Sequence, residues 1–391
     1  MRELSKLGTF AILLTSSLTI MVGTVLAPSL TEISKHLGFA ESPGWLITLP
    51  SLGVVLFAPI IGKLIDKKGP YVMIYWGLIP YALLGVIGAV LSNSYVVVAD
   101  RLLLGAATAA IQSSSSSLIA EFFDSEKRMK MMARQGMSIE IGGVVFLSIG
   151  GVLGEIDWHL PFLIYLLGII CAILIVLYIP RFDSEKTKKS IRFEANPSFN
   201  NGKYLISKEV LAFCVCSMLS MTLFFVVFVG LPQYLPEAFN FSESYTGYFM
   251  AFISLVAVVF AGQMPKMSKW IGSNNTVSIG FLLFSLGLFF FSFAGTTLVL
   301  FLAALAMGAG FGFTVPLLNH LIVEHSDATN RGRNLSYYSI AIFGGQFLSS
   351  FLGMLSSNHR VVFSVSAVLA LIVCITLFYK NKPPKIEVAI Q

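Results

Sequence analysis

The sequence predicts an all-α membrane protein whose twelve transmembrane helices form two six-helix pseudo-repeats. The 391 residues are 56% hydrophobic and only 12% charged, with a mean hydropathy of +0.82. Soluble domains average about 25% charged residues. The charges lie in clusters between long apolar runs, and the two halves of the chain share a spacing of glycines and charges.

Each apolar run is long enough to cross a bilayer. Only a helix satisfies its own backbone groups in lipid, so about 20 apolar residues in a row predict a spanning helix. The first run is interpreted as a retained helix rather than a signal peptide, because so many spans follow it. The predicted spans cover residues 9–29, 45–64, 71–92, 95–119, 133–154, 160–180, 209–231, 245–265, 275–294, 296–320, 335–356 and 360–379.

Basic residues fix the predicted orientation. With the N-terminus in the cytoplasm, all but three of the 26 Lys and Arg residues lie in cytoplasmic segments. Cytoplasmic loops are enriched in Lys and Arg, so we expect a multi-pass protein of the cell membrane with both termini cytoplasmic. The predicted domains are an N-terminal bundle (1–180), a cytoplasmic linker (181–208) and a C-terminal bundle with a short tail (209–391).

The second half of the sequence repeats the first at an offset of 203 residues. Two parallel repeats are typical of transporters whose substrate site lies between the halves. The matched pairs are Gly69 and Gly272, Gly77 and Gly280, Gly105 and Gly308, Glu121 and Glu324, Asp124 and Asp327, Arg128 and Arg331, and Lys130 and Arg333.

Composition argues against several other classes. The net charge of +6 comes from loops between apolar spans, which is a poor pattern for nucleic-acid binding. Cys171, Cys214, Cys216 and Cys374 lie inside apolar runs and are interpreted as small buried hydrophobes, not as a disulfide or metal site. We find no phosphate loop and no His/Asp/Glu constellation for catalysis. We therefore expect neither an enzyme nor a cofactor.

The loop between spans two and three carries the clearest motif. It reads Gly62-Lys-Leu-Ile-Asp66-Lys-Lys-Gly69-Pro70 and resembles the signature loop of the major facilitator superfamily, G-x-L-a-D-r-x-G-r-k. Glycines suit close helix approach at position 62 and a tight turn at position 69. The resemblance implies that Asp66 braces an inner gate, with Glu121 as its companion. Pro70 departs from the motif, since the family usually has a basic residue there.

Span four contains Arg101-Leu-Leu-Leu-Gly105, which resembles the family's R-x-x-x-G motif. The resemblance implies an arginine that faces the central cavity. A charge at this depth is costly unless it meets water or a partner; the alternative is a structural arginine that extends toward the interface. Asp100 is adjacent, and neighbouring helix residues point about 100° apart, so we expect no direct pair between the two.

Glu140 is the only carboxylate well inside a predicted span. Burial penalises its ionised form, so this group suits proton uptake and release. The alternative is a structural ion pair with Arg134 or Arg128. Asp100 and His320 are the next candidates for proton coupling, although His320 also has the i,i+4 spacing to pair with Glu324.

Two further stretches resemble motifs of drug exporters. Gly150-Gly151 matches the end of the antiporter motif G-P-x-x-G-G, whose G-P positions are Phe146-Leu147 here. Trp158-His-Leu-Pro-Phe162 is similar to the W-R-x-P-F that opens span six in such exporters. Span one lacks the carboxylate that many of them have.

Polar residues within the spans are candidates for the substrate cavity, with helix packing as the alternative. They are Arg101, Gln112, Asn319 and Gln346. Aromatic residues of spans seven and eight are candidates for an apolar pocket. They are Phe224, Phe225, Phe228, Phe249 and Phe252.

Together these features predict a monomeric secondary transporter that exports hydrophobic or drug-like small molecules by proton antiport. The proton gradient would supply the energy, and membrane lipids would be its only other partners. Two alternatives remain. One is an exporter of an endogenous metabolite such as a siderophore, and the other is a proton-coupled solute importer.

Overall fold

A computed structural model describes residues 4–123, 125–180, 206–326 and 331–380. Its regular elements are all helical in these ranges. The N-terminal half contains α1 (Lys6–Thr24), the short α2 (Leu30–His36), α3 (Trp45–Lys68), α4 (Pro70–Ile87), α5 (Ser94–Phe122), α6 (Ser125–Ile156), and α7 (Leu160–Leu163), which a single 3-10 turn joins to α8 (Leu167–Tyr178). The C-terminal half contains α9 (Lys208–Phe239), α10 (Glu243–Ile271), α11 (Ser273–Phe293), α12 (Thr297–Glu324), α13 (Arg331–Gly353) and α14 (His359–Lys380).

All twelve predicted spans are present as helices, with α7 and α8 together forming the sixth. Eleven of the described helices are long and apolar enough to cross a membrane, and α13 is the twelfth span of the fold. The sequence of α13 is more polar than that of the other spans, and this helix packs against α9 and α3. The predicted linker falls mostly on residues 181–205, outside the described residues.

Short polar side chains define several helix starts. Ser5 Oγ accepts from the Gly8 N–H at 3.0 Å, and Ser207 Oγ accepts from the Val210 N–H at 3.2 Å. Asn93 Oδ1 accepts from the Tyr95 N–H at 2.9 Å. Such caps satisfy amide groups that the first turn of a helix leaves without partners, so these helices begin where the sequence changes from polar to apolar.

The internal repeat is confirmed by backbone conformation. Gly69, between α3 and α4, has φ 85° and ψ 154°, and Gly272, between α10 and α11, has φ 88° and ψ 151°. A side chain strongly disfavours this region, so glycine is required at both turns. Two turns 203 residues apart thus share one unusual geometry.

Helix contacts repeat at the same offset. A Cβ atom on Gly105 would lie 2.0 Å from the Pro50 carbonyl oxygen, which joins α5 to α3. A Cβ atom on Gly308 would lie 2.6 Å from the Ile253 carbonyl oxygen, which joins α12 to α10. Residues 50 and 253 are themselves 203 apart, so each half contains the same close backbone contact between corresponding helices.

Four helices join the two halves: α6 packs against α10, and α3 packs against α13. We call the end where α1 begins and α14 ends the basic end, and the opposite end the distal end. The closest approaches between the halves lie toward the distal end, as described below. Toward the basic end the same helices diverge, and Cβ atoms placed on Gly62, Gly136 or Gly262 would meet nothing within 4 Å. The halves therefore meet at the distal end and lie further apart at the basic end.

Gly105→Val should destabilise the N-terminal half, because the added carbons would collide with the α3 backbone. Overpacking costs about 1–3 kcal/mol or more when the backbone cannot move. A heating assay monitored by size-exclusion fluorescence should show a lower melting temperature. Gly136→Val is the matched control, since it places the same residue in a helix beside open space. Equal melting temperatures for the two variants would contradict the close contact.

Candidate functional site

Two buried hydrogen bonds close the α3–α13 seam at the distal end. The Thr48 and Ser350 hydroxyls lie 2.6 Å apart, and Ser51 donates to Gln346 Oε1 at 2.6 Å. Gln346, predicted as a cavity residue, is 6% exposed and sits in this seam. Trp45 adds edge contacts with the rings of Phe347 and Phe351. In this conformation Gln346 therefore joins the two halves directly.

Glycines close the α6–α10 seam. A Cβ atom on Gly151 would lie 2.6 Å from the Glu243 carbonyl oxygen, and one on Gly247 would lie 2.5 Å from the Leu147 carbonyl oxygen. The glycine-rich stretch of α6 also contacts α1, because a Cβ atom on Gly150 would lie 2.2 Å from the Val25 carbonyl oxygen. The stretch that resembles the antiporter motif thus brings three backbones together at the distal end.

Glu155 adds a charged link across the α6–α10 seam. Its Oε2 atom accepts from the Ser242 hydroxyl at 2.9 Å and from the Ser244 N–H at 3.1 Å. These donors lie at the start of α10, where a carboxylate is stabilised by free amide groups and the helix dipole. Sequence reasoning missed Glu155. The Ser242 cap signal was readable, but the partner from the other half was not.

Glu140 lies between the two halves. Its side chain is partly exposed, and it is within electrostatic range of the Tyr338 phenol on α13. Among ion pairs between described residues, none joins Glu140 to Arg134 or Arg128. Arg128 instead donates to the Ala120 and Phe123 carbonyl oxygens at 2.8 and 3.0 Å, where it caps the end of α5. The arrangement gives the cavity one carboxylate that faces the opposite half.

The buried amide of Gln135, five residues before Glu140, holds the basic half of α6 in place. Gln135 Nε2 donates to Ser16 Oγ on α1 at 3.0 Å and to Ser116 Oγ on α5 at 3.2 Å. Ser138 donates to the Leu13 carbonyl oxygen at 2.9 Å. Sequence reasoning did not single out Gln135. These bonds hold the helix that carries Glu140 within the N-terminal half.

Arg101 and Asp100 form a direct ion pair, so the expectation that these neighbours would not pair was wrong. Arg101 Nε donates to Asp100 Oδ2 at 2.9 Å, and its Nη2 lies 2.8 Å from the same oxygen. The arginine side chain is long enough to fold back across the angle between adjacent residues. Its guanidinium group lies over the Phe162 ring and against Gly88, both in the N-terminal half.

Arg101 is 1% exposed in this conformation. Its position and that of Asp100 are inside the N-terminal bundle, away from the seams. Each ion is the partner of the other, which reduces the cost of burying them. Among the described residues, Asp100 Oδ1 and Arg101 Nη1 have no further hydrogen-bond partner. A cavity role for Arg101 and a proton-coupling role for Asp100 stay predictions, and they require a different conformation.

An aromatic cluster lies in the C-terminal half next to the seam. Phe224 stacks near Phe228 and Phe311, with ring centroids 4.8 and 4.3 Å away. Phe225 reaches the N-terminal half, 3.7 Å from a Cβ atom placed on Gly23 of α1. The other two predicted aromatic residues, Phe249 and Phe252, instead pack against Phe301 within the C-terminal half.

The remaining candidates lie toward the basic end. Gln112 is half-buried in α5, while Asn319 and His320 are exposed at the end of α12. His320 Nε2 lies 3.8 Å from Glu324 Oε2, at the i,i+4 spacing expected for a pair. Glu121 is half-buried at the end of α5.

The predicted inner gate also includes Asp66, Gly62 and Gly69. Asp66 lies in α3, and its side chain is outside the described residues. Gly62 and Gly69 are described above. Whether Asp66 and Glu121 act together as a gate stays a prediction.

Two parallel six-helix repeats that meet at one end are the architecture of a class of secondary membrane transporters. The sequence model of the Major Facilitator Superfamily matches residues 12–350 and, in a second match, 213–390. The chain belongs to this superfamily and is a multi-pass membrane protein.

Known relatives include bacterial drug-resistance proteins. The chain is 26% identical over 322 residues to the tetracycline resistance protein, class B, of Escherichia coli, covering 80% of this chain and 78% of that protein. It is 23% identical over 376 residues to the quinolone resistance protein NorA of Staphylococcus aureus, covering 94% of each.

Solved structures share the fold at low identity. The inward-open xylose transporter XylE from E. coli superimposes with a TM-score of 0.72 at 15% identity, covering 97% of each chain. The nucleoside transporter NupG gives a TM-score of 0.72 at 14% identity, covering 96% of this chain and all of that one.

Glu155→Ala should loosen the distal closure, because the start of α10 would lose its link to α6. Spin labels at the distal ends of α6 and α11 should show a larger population at long separation than in the parent protein. The native cysteines are first replaced in both. Asp157→Ala is the matched control, since this exposed carboxylate accepts from the His159 N–H in its own loop. An unchanged distance distribution in Glu155→Ala would rule out this role.

Proposed function

We propose that this protein exports small hydrophobic or drug-like molecules from the cell by proton antiport. The observation that carries the proposal is Glu140, a carboxylate that faces the opposite half across the cavity and has no cationic partner among the described residues. Two relatives are named for resistance to tetracycline and to quinolones, and export from the cell is one way in which a membrane transporter confers drug resistance. The basic end would face the cytoplasm, in agreement with the distribution of Lys and Arg.

Glu140 would couple protons to transport through the cost of closing the cavity. An ionised carboxylate loses water when the halves close around it, and an unpaired buried charge costs several kcal/mol. A bound proton removes this cost, and so does a substrate cation. Proton and substrate would then compete for one group, which links outward export to inward proton flow.

The aromatic cluster supports an apolar substrate. Phe224, Phe228 and Phe311 form a continuous aromatic cluster, and Phe225 extends it to α1. These side chains are only 2–6% exposed in this conformation, so the cluster would have to open to hold a substrate. Drug-sized ligands are mostly held by apolar and aromatic surface, with a few polar groups for orientation. A flat apolar molecule with a positive charge would suit the cluster and Glu140 together.

In the alternate conformation the distal end would be open and the basic end would be closed. The distal hydrogen bonds and the Glu155 link would break, while the basic ends of α3, α6, α10 and α13 would come together. Asp66 and Glu121 would brace the closed basic end, as the resemblance of their loop implies. The protein would work as a monomer, because each chain contains both halves.

Glu140→Gln should abolish proton-driven export while leaving binding largely intact. In inside-out vesicles given a panel of drug-like compounds, the variant should lose accumulation against a gradient and its dependence on pH. Substrate exchange at equilibrium should persist, because it needs no net proton movement. Glu209→Gln is the matched control, since this carboxylate is exposed at the start of α9.

Normal accumulation by Glu140→Gln would remove this residue from the mechanism. Proton-driven movement in the opposite direction would favour a solute importer instead. Loss of folded protein, with normal pH dependence in the surviving fraction, would identify Glu140 as a structural residue.

Asp66→Asn should reduce turnover without loss of folded protein. Removing the charge would weaken closure of the basic end, whereas the α3–α4 turn depends on Gly69 and would persist. Initial export rates, normalised to the amount of protein in the membrane, measure the effect. Turnover equal to that of the parent protein would exclude the gate.

A further inference from the structure

An open groove of about 420 Å³ lies between α10 and α12 near the basic end. Its deeper part is formed by Val259, Phe260 and Phe313. Gln263, Lys266 and Trp270 follow along α10 toward the end of the helix. The groove is separate from the two seams that join the halves, and the proposed transport mechanism does not use it.

The groove lies on the lipid-facing side of α10. One face of this helix exposes large apolar side chains along most of its length: Tyr245 is 66% exposed, Leu255 50%, Val259 54% and Trp270 81%. Aromatic residues at both ends of such a face are typical of the two membrane interfaces. In a membrane this surface contacts lipid rather than water.

The length of α10 places the groove at the interface of one leaflet. Glu243 and Lys266 are the first charged residues at either end of the apolar stretch. At 1.5 Å per residue they lie about 35 Å apart, slightly more than the hydrocarbon thickness of about 30 Å. Lys266 therefore lies at headgroup depth, and Val259 lies about 10 Å deeper, among the acyl chains.

We propose that this groove binds an anionic phospholipid of the leaflet at the basic end. The acyl chain would lie against Val259, Phe260 and Phe313. The phosphate would meet the Lys266 ammonium group, which extends to the interface. Gln263 lies between them, at the depth of the glycerol esters, where its amide can donate to a carbonyl oxygen.

Charge favours an anion over the other possible occupants. The segment from 255 to 272 contains Lys266 and Lys269 and no Asp or Glu. A cationic drug would be repelled at this position, and a neutral molecule would leave the ammonium group without a partner. A phospholipid supplies apolar and anionic parts in the order in which the groove presents them.

The internal repeat shows which groove residues are particular to the C-terminal half. At the offset of 203, Lys266 corresponds to Lys63, so the ammonium group recurs, whereas Gln263 corresponds to Ile60 and Trp270 corresponds to Lys67. Ile60 is 53% exposed, so the equivalent surface of α3 is apolar where α10 presents an amide. The amide and the indole beside the ammonium group belong to the C-terminal half only.

Lipid binding can be measured by native mass spectrometry of the purified protein with added phosphatidylglycerol or phosphatidylcholine. The parent protein should retain phosphatidylglycerol in preference. Lys266→Gln should weaken retention about fivefold, as expected for one basic residue near an anionic headgroup. Lys269→Gln is the matched control, because it removes the same charge from the same helix end outside the groove, and it should retain the lipid.

A second readout locates the lipid. A phosphatidylglycerol with a photoreactive acyl chain should label the peptide that contains Val259 and Phe260, and Trp270→Leu should reduce this labelling. Equal weakening by Lys266→Gln and Lys269→Gln would overturn the proposal in favour of general electrostatic attraction. Equal retention of the two lipids, or labelling elsewhere, would also overturn it.

Discussion

Helices in a bilayer gain little by turning apolar side chains toward one another, because lipid is equally apolar. Their association depends on close packing and on hydrogen bonds between helices. In this protein the closest approaches are between backbones at glycine. Gly105 and Gly308 bring α5 and α12 against α3 and α10 within the halves, and Gly151 and Gly247 bring the halves together. Close backbone contacts at glycine therefore build the packing within each half and also the α6–α10 contact between the halves.

The distal closure is suited to repeated opening. Its polar links are a small number of hydrogen bonds, such as the Ser51–Gln346 bond and the two bonds that Glu155 accepts. Hydrogen bonds between membrane helices contribute about 0.6 kcal/mol on average, up to about 1.7 kcal/mol. A few such bonds can hold one conformation without trapping it. The contacts inside each half include the buried Gln135 network and the repeated glycine contacts, so each half can move as a unit.

Two carboxylates in the spans are in opposite situations. Asp100 is paired with Arg101 inside the N-terminal bundle, away from the seams. Glu140 lies where the halves meet, so its surroundings would change if the halves opened and closed. The proposed proton coupling therefore rests on Glu140.

The sequence by itself determined the helices, their order and the internal repeat. Apolar runs of sufficient length, a one-sided distribution of Lys and Arg, and glycines at matching positions are local features, and lipid allows few alternatives to a helix. The turn at Gly69 and the helix that carries Glu140 were predicted for the same reason. The span of the more polar α13 was also predicted, at residues 335–356.

Tertiary structure decided which residues meet. Glu155 reaches the start of α10, and Gln346 bonds to Ser51, across 87 and 295 residues of chain respectively. No local pattern specifies such partners, because they depend on how two rigid halves pack. The Arg101–Asp100 pair shows the same limit at short range. Helix geometry fixes the direction of the first side-chain bond, but the position of a long side chain's charge is chosen by burial and by its partner.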